Sequence, residues 1–249
     1  MNNLTIGIFG DNDFAKGMGK KGTSNDIELY NHGSSQTMFT YVTTNSDKIQ
    51  PLLQTLNMID LPVLVINEIN AETGELIIAI DQVNFKQGYI LLNNSVAREQ
   101  IEPLLKDTSL ESFKILEKDS TTLRTELESI DLQKKQTDKV FVSIDNYFQV
   151  KSVGTIILGI VKEGTIKKHD KLSLEPLGKE ILIKSIQSKD KDIIEADERT
   201  RVGLNIKGID VEELKRGQIL CTPGMIKNTK TLDIEYKLSK FNKETLDLG

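Results

Sequence analysis

Apolar positions in the first half of the chain alternate between two periods. Short runs rich in Val, Ile, Leu and Phe at residues 4–9, 62–66, 89–92 and 113–116 read as strands. Residues 26–30 and 37–43 read as two more, with a polar turn at His32-Gly33-Ser34-Ser35 between them. Helical patterns fall at 47–56, 71–83, 96–105 and 121–130. In the second of these Leu76, Ile77, Ile80 and Val83 share one face. Strands and helices that alternate at this length predict an α/β domain with a mostly parallel sheet.

The stretch LQKKQTD, which begins at Leu132, has no apolar periodicity and reads as a linker. Beyond it the pattern changes. Strand-like runs recur at short spacing (140–144, 154–161, 171–174, 180–186, 201–206) with turn residues such as Lys162-Glu163-Gly164 and Leu177-Gly178 between them. No long helix fits, and the pattern predicts a small antiparallel β-barrel. Residues 230–238 offer one more strand. The chain therefore divides into an α/β domain at 1–132, a linker at 133–138, a barrel at 139–224, and a partial third β domain or C-terminal tail at 225–249.

Composition narrows the class only a little. Of the 249 residues, 38% are hydrophobic and 28% charged, as in ordinary soluble domains. No apolar run reaches the roughly 18–20 residues that cross a bilayer, and residues 1–5 have no basic n-region. No membrane partner is expected. The single cysteine, Cys221, excludes an internal disulfide framework and a cysteine-based zinc site, and fits a reducing cytoplasm. The net charge of −5 argues against general nucleic-acid affinity. It is unevenly spread, at −8 over residues 1–138, +2 over 139–224 and +1 over 225–249. Any polyanion contact belongs to the second half, although +2 is also what an ordinary solvated surface carries.

The first strand leads into a glycine-led turn with a lysine, which invites comparison with the phosphate loop G-x-x-x-x-G-K-[ST]. From Gly10 the chain reads GDNDFAKG. Gly10 and Lys16 are in place. Ala15 stands where a glycine lets the backbone close on phosphate, and Gly17 stands where a hydroxyl would reach Mg²⁺. Asp11 and Asp13 add negative charge where a triphosphate would lie. On pattern alone, an ordinary strand-turn with a surface lysine accounts for the segment. Gly17-Met18-Gly19-Lys20-Lys21-Gly22 satisfies G-x-G-x-x-G but does not directly follow a strand and lacks the acid about 20 residues on, so a flexible basic turn is expected. His32 and His169 both fall in predicted turns and are not spaced with carboxylates as a metal set. No metal site and no G-x-S-x-G nucleophile turn is expected.

Residues 145–170, DNYFQVKSVGTIILGIVKEGTIKKHD, resemble the second domain of translational GTPases of the elongation factor Tu class, whose usual form is D-x-F-x-I-x-G-x-G-T-V-x-x-G-x-V-x-x-G-x-I-x-x-G-D. Asp145, Phe148, Val150, Gly154, Thr155, Gly159, Val161, Gly164, Ile166 and Asp170 fall on that pattern, and residues 201–220 look like its closing strands. Residues 183–196 are similar to the selenocysteine-specific branch in its archaeal form. The resemblance runs from residue 4 to about 240, with only the opening of a third domain. It implies a P-loop GTPase-like domain, then a translation-factor barrel, then the start of a third β domain.

The resemblance also gives the first half a frame. Ile6, Gly7, Gly10, Asp13 and Lys16 match the family's nucleotide segment, so Gly10, Asp13 and Lys16 would be its remnants. The switch D-x-P-G-H is replaced by Thr43-Thr44-Asn45-Ser46-Asp47, without the histidine that positions water. The guanine-reading N-K-x-D is replaced by Asn93-Asn94-Ser95-Val96, and the last base-reading segment by Glu117-Lys118-Asp119-Ser120. No catalytic residue is therefore assigned, and no cofactor is expected. The implied function is that of a translation elongation factor-like protein without GTP hydrolysis, which binds tRNA or aminoacyl-tRNA, the ribosome or another translation component. Lys151, Arg199, Arg201, Lys207 and Arg216 are its candidate tRNA contacts. A working GTPase with an atypical GTP/Mg²⁺ site and a module that binds only proteins remain the alternatives.

Overall fold

The computed structural model describes residues 2–46, 48–130 and 137–235. The first domain runs β1 (Asn2–Phe9), α1 (Asn12–Met18), β2 (Lys20–Ser24), β3 (Ile27–Gly33), β4 (Thr37–Thr44), α2 (Ile49–Met58), β5 (Leu61–Ile66), α3 (Ala71–Val83), β6 (Tyr89–Leu92), α4 (Arg98–Leu105), β7 (Lys114–Glu117) and α5 (Ser120–Glu128). Its seven strands lie in the order β2-β3-β4-β1-β5-β6-β7. The run from β4 through β1 to β7 is parallel, and β3 and β2 extend it antiparallel. The central strands are buried over nearly their whole length, which is why they read as continuous apolar runs.

Helices cover both faces. Leu56 and Met58 of α2, Ile77 and Ile80 of α3, and Ile101 and Leu105 of α4 pack in one core. Ala15 and Met18 of α1 pack with Leu123 and Leu127 of α5 in the other. Helix α3 forms where its pattern predicts. The side chain of Asn70 caps its first turn through the Thr73 amide, and Asn84, in the left-handed region at φ 57°, ends it.

The second domain comprises β8 (Phe141–Val150), β9 (Gly154–Glu163), β10 (Thr165–Lys167), β11 (Lys171–Glu175), β12 (Lys179–Ser188), β13 (Lys191–Ile193), β14 (Glu195–Asp197), β15 (Arg201–Lys207) and β16 (Ile219–Cys221). Six strands close a barrel in the order β11-β16-β8-β9-β15-β12, with β12 pairing back to β11. Strand β13 extends β12 at its edge, and β10 and β14 form a separate two-stranded ribbon. Alternation sets the inside: Val202, Leu204 and Ile206 of β15 point inward, and the residues between them are half-buried.

The two domains meet along α2. Ile160 of the barrel is fully buried within the helical core of the first domain. Lys162 Nζ donates to the Met58 carbonyl (2.9 Å), the Ile59 carbonyl (2.8 Å) and Asp60 Oδ1 (3.2 Å). Gln54 Nε2 donates to the Ile144 carbonyl at 2.8 Å, and Asn3 Nδ2 to Thr200 Oγ1 at 3.0 Å.

Three expectations need correction. The supposed basic turn at 17–22 runs from the end of α1 into β2, an edge strand held antiparallel on β3. His32 is in β3, not in a turn, and its ring stacks on Phe39. The strand expected at 230–238 does not form over 230–235, and residues 236–238 lie outside the described residues. Leu232 and Ile234 give that segment its alternating pattern. Both are largely exposed (73% and 69%), and neither pairs in a strand among the described residues.

Candidate functional site

In an open parallel sheet, ligands bind beyond the carboxyl ends of the strands where strand order reverses. Here that point is the end of β1, between β4 and β5. Gly10 makes the turn at φ +87°, and a Cβ there would sit 2.2 Å from the Val65 carbonyl oxygen, so the close approach to β5 requires glycine. Only Gly10 and Asp11 separate β1 from α1. Asp11 is the N-cap, and its Oδ1 accepts from the Phe14 amide at 2.7 Å.

This early helix start decides where the sequence-derived residues go. Lys16 lies in the second turn of α1, half-exposed, and its ammonium pairs with Asp13 at 2.8 Å. The side chain of Asp13 is 91% exposed. Hence Gly10 is at the strand end, while Asp13 and Lys16 pair with each other along the helix. Ala15 faces the core and is fully buried.

The group that does occupy the helix N-terminus is the carboxylate of Asp11. Its Oδ2 receives Lys118 Nζ at 2.5 Å and Asn67 Nδ2 at 2.9 Å, and Lys118 also donates to Asn67 Oδ1 at 2.8 Å. The Asp11 and Lys118 side chains are only 12% and 25% exposed. Burial works to raise the Asp11 carboxyl, but the hydrogen bonds from Lys118, Asn67 and the Phe14 amide outweigh it, leaving the carboxyl below its ordinary value. Asn67 follows β5 and Lys118 follows β7, so three strand ends supply the cluster. Sequence reasoning missed both partners. The signal available was their position one and two residues beyond predicted parallel strands, at 62–66 and 113–116.

The neighbouring loops are bound internally as well. Thr43 Oγ1 donates to Asn12 Oδ1 at 2.6 Å. Asn93 Oδ1 accepts the Asn94 amide, Ser95 Oγ donates to the Asn67 carbonyl, and Val96 is buried. A cleft of about 1000 Å³ opens beside Asp11 between α2 and α3.

The five candidate basic residues of the barrel fall into two places. Lys151, in the β8–β9 turn, and Lys207, at the end of β15, lie at one end of the barrel. They share it with Lys184, whose Nζ reaches the Val153 carbonyl at 3.4 Å. Arg199, Arg201 and Arg216 lie toward the first domain. Arg199 is 12% exposed and sits 3.8 Å from Asp60. Arg201 makes two 3.2 Å contacts with Asp145, whose side chain is 2% exposed. Arg216 bridges to Asp26 of the first domain at 2.9 Å. Burial pushes the Asp145 carboxyl above its usual value, against the pull of Arg201.

Among the described residues no group of three or more His, Cys, Asp or Glu side chains could hold a metal ion. Nor is any helix among them long and apolar enough to cross a membrane.

The profile of elongation factor Tu domain 2 matches residues 154–221, which span most of the barrel. An uncharacterized protein of Methanocaldococcus jannaschii is 37% identical over 252 residues, a match that takes in 100% of this chain and 82% of that one. The selenocysteine-specific elongation factor of the same organism is 24% identical over 302 residues, covering 100% of this chain and 64% of the factor. The fold of apo translation elongation factor SelB from Methanococcus maripaludis superimposes with a TM-score of 0.71 at 24% identity, over 89% of this chain and 56% of SelB. With the α/β sheet leading into a closed six-stranded barrel, these matches show that the chain belongs with the Methanocaldococcus jannaschii protein among the relatives of the elongation factor Tu class of translational GTPases.

Proposed function

We propose that the protein is a cytoplasmic translation-factor-like binding protein that works without GTP hydrolysis and without a nucleotide at the end of β1. The observation that carries this reading is Asp11. A helix N-terminus with free amides is an anion site, and here the chain's own carboxylate caps it, held by Lys118 and Asn67. A phosphate brought to within about 4 Å would meet repulsion from this carboxylate of about 4 kcal/mol per unit charge at an effective dielectric of about 20, offset in part by the paired Lys118, and would have to displace the carboxylate to reach the amides. The residues present do not fit a magnesium triphosphate in other respects. Lys16 is paired along the helix with Asp13, Gly17 offers no hydroxyl, and the loop of two residues leaves no ring of amides.

The resemblance to the selenocysteine-specific factor supports tRNA, aminoacyl-tRNA or the ribosome as partner, through the barrel. Of the candidate contacts, Lys151 and Lys207 favour such a role, because Arg199 and Arg201 are engaged inside the molecule. Isothermal titration with GTP and GDP in Mg²⁺ tests the nucleotide reading. Saturable binding tighter than about 100 μM, worth roughly 5.5 kcal/mol, overturns it. Filter binding to charged and uncharged tRNA across a salt series tests the partner, and the absence of salt-dependent binding at low ionic strength refutes it.

A further inference from the structure

Helix α2 carries more apolar surface than its core contact uses. Pro51, Thr55, Leu56 and Met58 face inward and are buried. Ile49 and Leu53, one turn apart, are 54% and 45% exposed and face the cleft of about 1000 Å³ between α2 and α3. Leu76 and Ala79 of α3 form the opposite wall. Singly exposed apolar residues need no explanation, but an apolar i, i+4 pair on one side of a groove with an apolar opposite wall does. The two walls are helices of 10 and 13 residues, so the groove is about 15–20 Å long.

The rim supplies the charge. Glu72 and Glu75 of α3 both border the groove and are exposed, and neither has an ion-pair partner among the described residues. Asp11, at the floor, already holds Lys118. Lys48, at the start of α2, is the one basic side chain bordering the cleft among the described residues. The surrounding domain is strongly acidic, at −8 over residues 1–138.

We infer that this groove docks a basic amphipathic helix of a partner protein. Its apolar residues at i, i+3 or i+4 and i+7 lie against Ile49, Leu53, Leu76 and Ala79, and its lysines or arginines meet Glu72 and Glu75. The charge on the rim favours such a helix over a neutral or acidic one. The groove shares Gly10, Asp11 and Asn12 with the end of β1, so the inference rests on that end holding no nucleotide, and titration with GTP and GDP separates the failure of that reading from the failure of this one.

The test uses the full chain and two fluorescein-labelled 18-residue helical peptides with the same leucine face, one with lysine and one with glutamate at the solvent positions. Fluorescence anisotropy at 150 mM salt should show saturable binding of the lysine peptide at least tenfold tighter than the glutamate peptide. Leu53→Glu should weaken it at least tenfold, and the Glu72→Lys/Glu75→Lys double variant should reverse the preference. Both substitutions lie at exposed positions, and circular dichroism checks that the fold is kept. The double variant alone decides the matter if Leu53→Glu disturbs α2. Lack of saturation, equal affinity for the two peptides, or indifference to both variants overturns the inference. So does a homodimer in sedimentation that Leu53→Glu dissolves, which would make a second copy the occupant. Amide shifts at Ile49 and Ala79 on removal of residues 236–249 would assign the groove to the chain's own tail and overturn it too.

Discussion

Replacing Lys162 by methionine removes one ammonium and keeps most of its apolar stem. In the structure the Lys162 side chain is 18% exposed, and its ammonium donates to three oxygens at the carboxyl end of α2, the carbonyls of Met58 and Ile59 and the carboxylate of Asp60. The last carbonyls of a helix have no partner within it, and they carry the negative end of its dipole. A hydrogen bond to a charged group contributes about 1.5–3 kcal/mol net, and a cation at a helix carboxyl end about 0.3–2 kcal/mol. These overlap, and Asp60 keeps the Thr5 amide at 2.9 Å and Arg199 at 3.8 Å. The expected loss is therefore about 2–4 kcal/mol, with a fall in Tm of about 5–12 °C for a chain of this size. Because these contacts join the two domains, the loss should also uncouple them. Calorimetry should show one transition for the wild type and two for Lys162→Met. Urea unfolding followed by far-ultraviolet ellipticity and by tyrosine fluorescence should then give two midpoints, tryptophan being absent. A single transition shifted by less than about 0.5 kcal/mol, within the range of ordinary surface changes, would show that Ile160 and its apolar neighbours hold the domains together without Lys162.

Lys118→Met should cost about 2–3 kcal/mol at pH 7, because it leaves Asp11 largely buried without its cation. The Asp11 carboxyl is held below its usual value, so its contribution is present above the unfolded pKa and lost as pH falls through the folded one. Urea midpoints of variant and wild type should therefore converge below about pH 4. Arg201→Met should cost about 3–5 kcal/mol at pH 7 by stranding the charge of Asp145. Here burial already raises the folded carboxyl value, so stability is present below the unfolded pKa and lost as pH rises through the folded one. The Arg201→Met deficit should accordingly be smaller at pH 4 than at pH 7 in the same assay. Gly10→Ala should lower stability by about 2–4 kcal/mol in thermal melts, since a left-handed φ of +87° and a Val65 oxygen 2.2 Å from the new Cβ both oppose it.

What could be read in the sequence depended on where the shaping interaction lies. Helix α3 matched its predicted span because its cap at Asn70 and its apolar face are local. Helix α1 was hidden because seven residues hold barely two turns of periodicity, and GDNDFAKG drew attention to its lysine instead of to Asp11 as a cap. Strand β2, with the sequence KKGTS, has no apolar alternation and owes its conformation to pairing with β3. In the candidate site Gly10 was legible, since a glycine after a strand marks a turn. Lys118 and Asn67 were not, because they reach Asp11 only when the sheet brings the ends of β5 and β7 to the same edge as the end of β1. Nor does the sequence distinguish an arginine that faces solvent from one that faces a buried Asp145. Arg201 looked like an external contact until β8 and β9 put the carboxylate in its path.

The order of strands in the barrel also bears on how the chain folds as it is made. Strand β16, at Ile219–Cys221, lies between β8 and β11 and completes the ring. The α/β sheet is complete at Glu117, so that domain can fold while the barrel is still being synthesised. The barrel cannot close until residue 221 has left the ribosome, and until then β8 and β11 lack the strand that joins them. Lys162 lies within the unfinished ring, so the carboxyl end of α2 waits for its ammonium through the same interval. The barrel is thus open longest between β8 and β11, and that gap is where a nascent chain would offer a chaperone or a protease its opportunity.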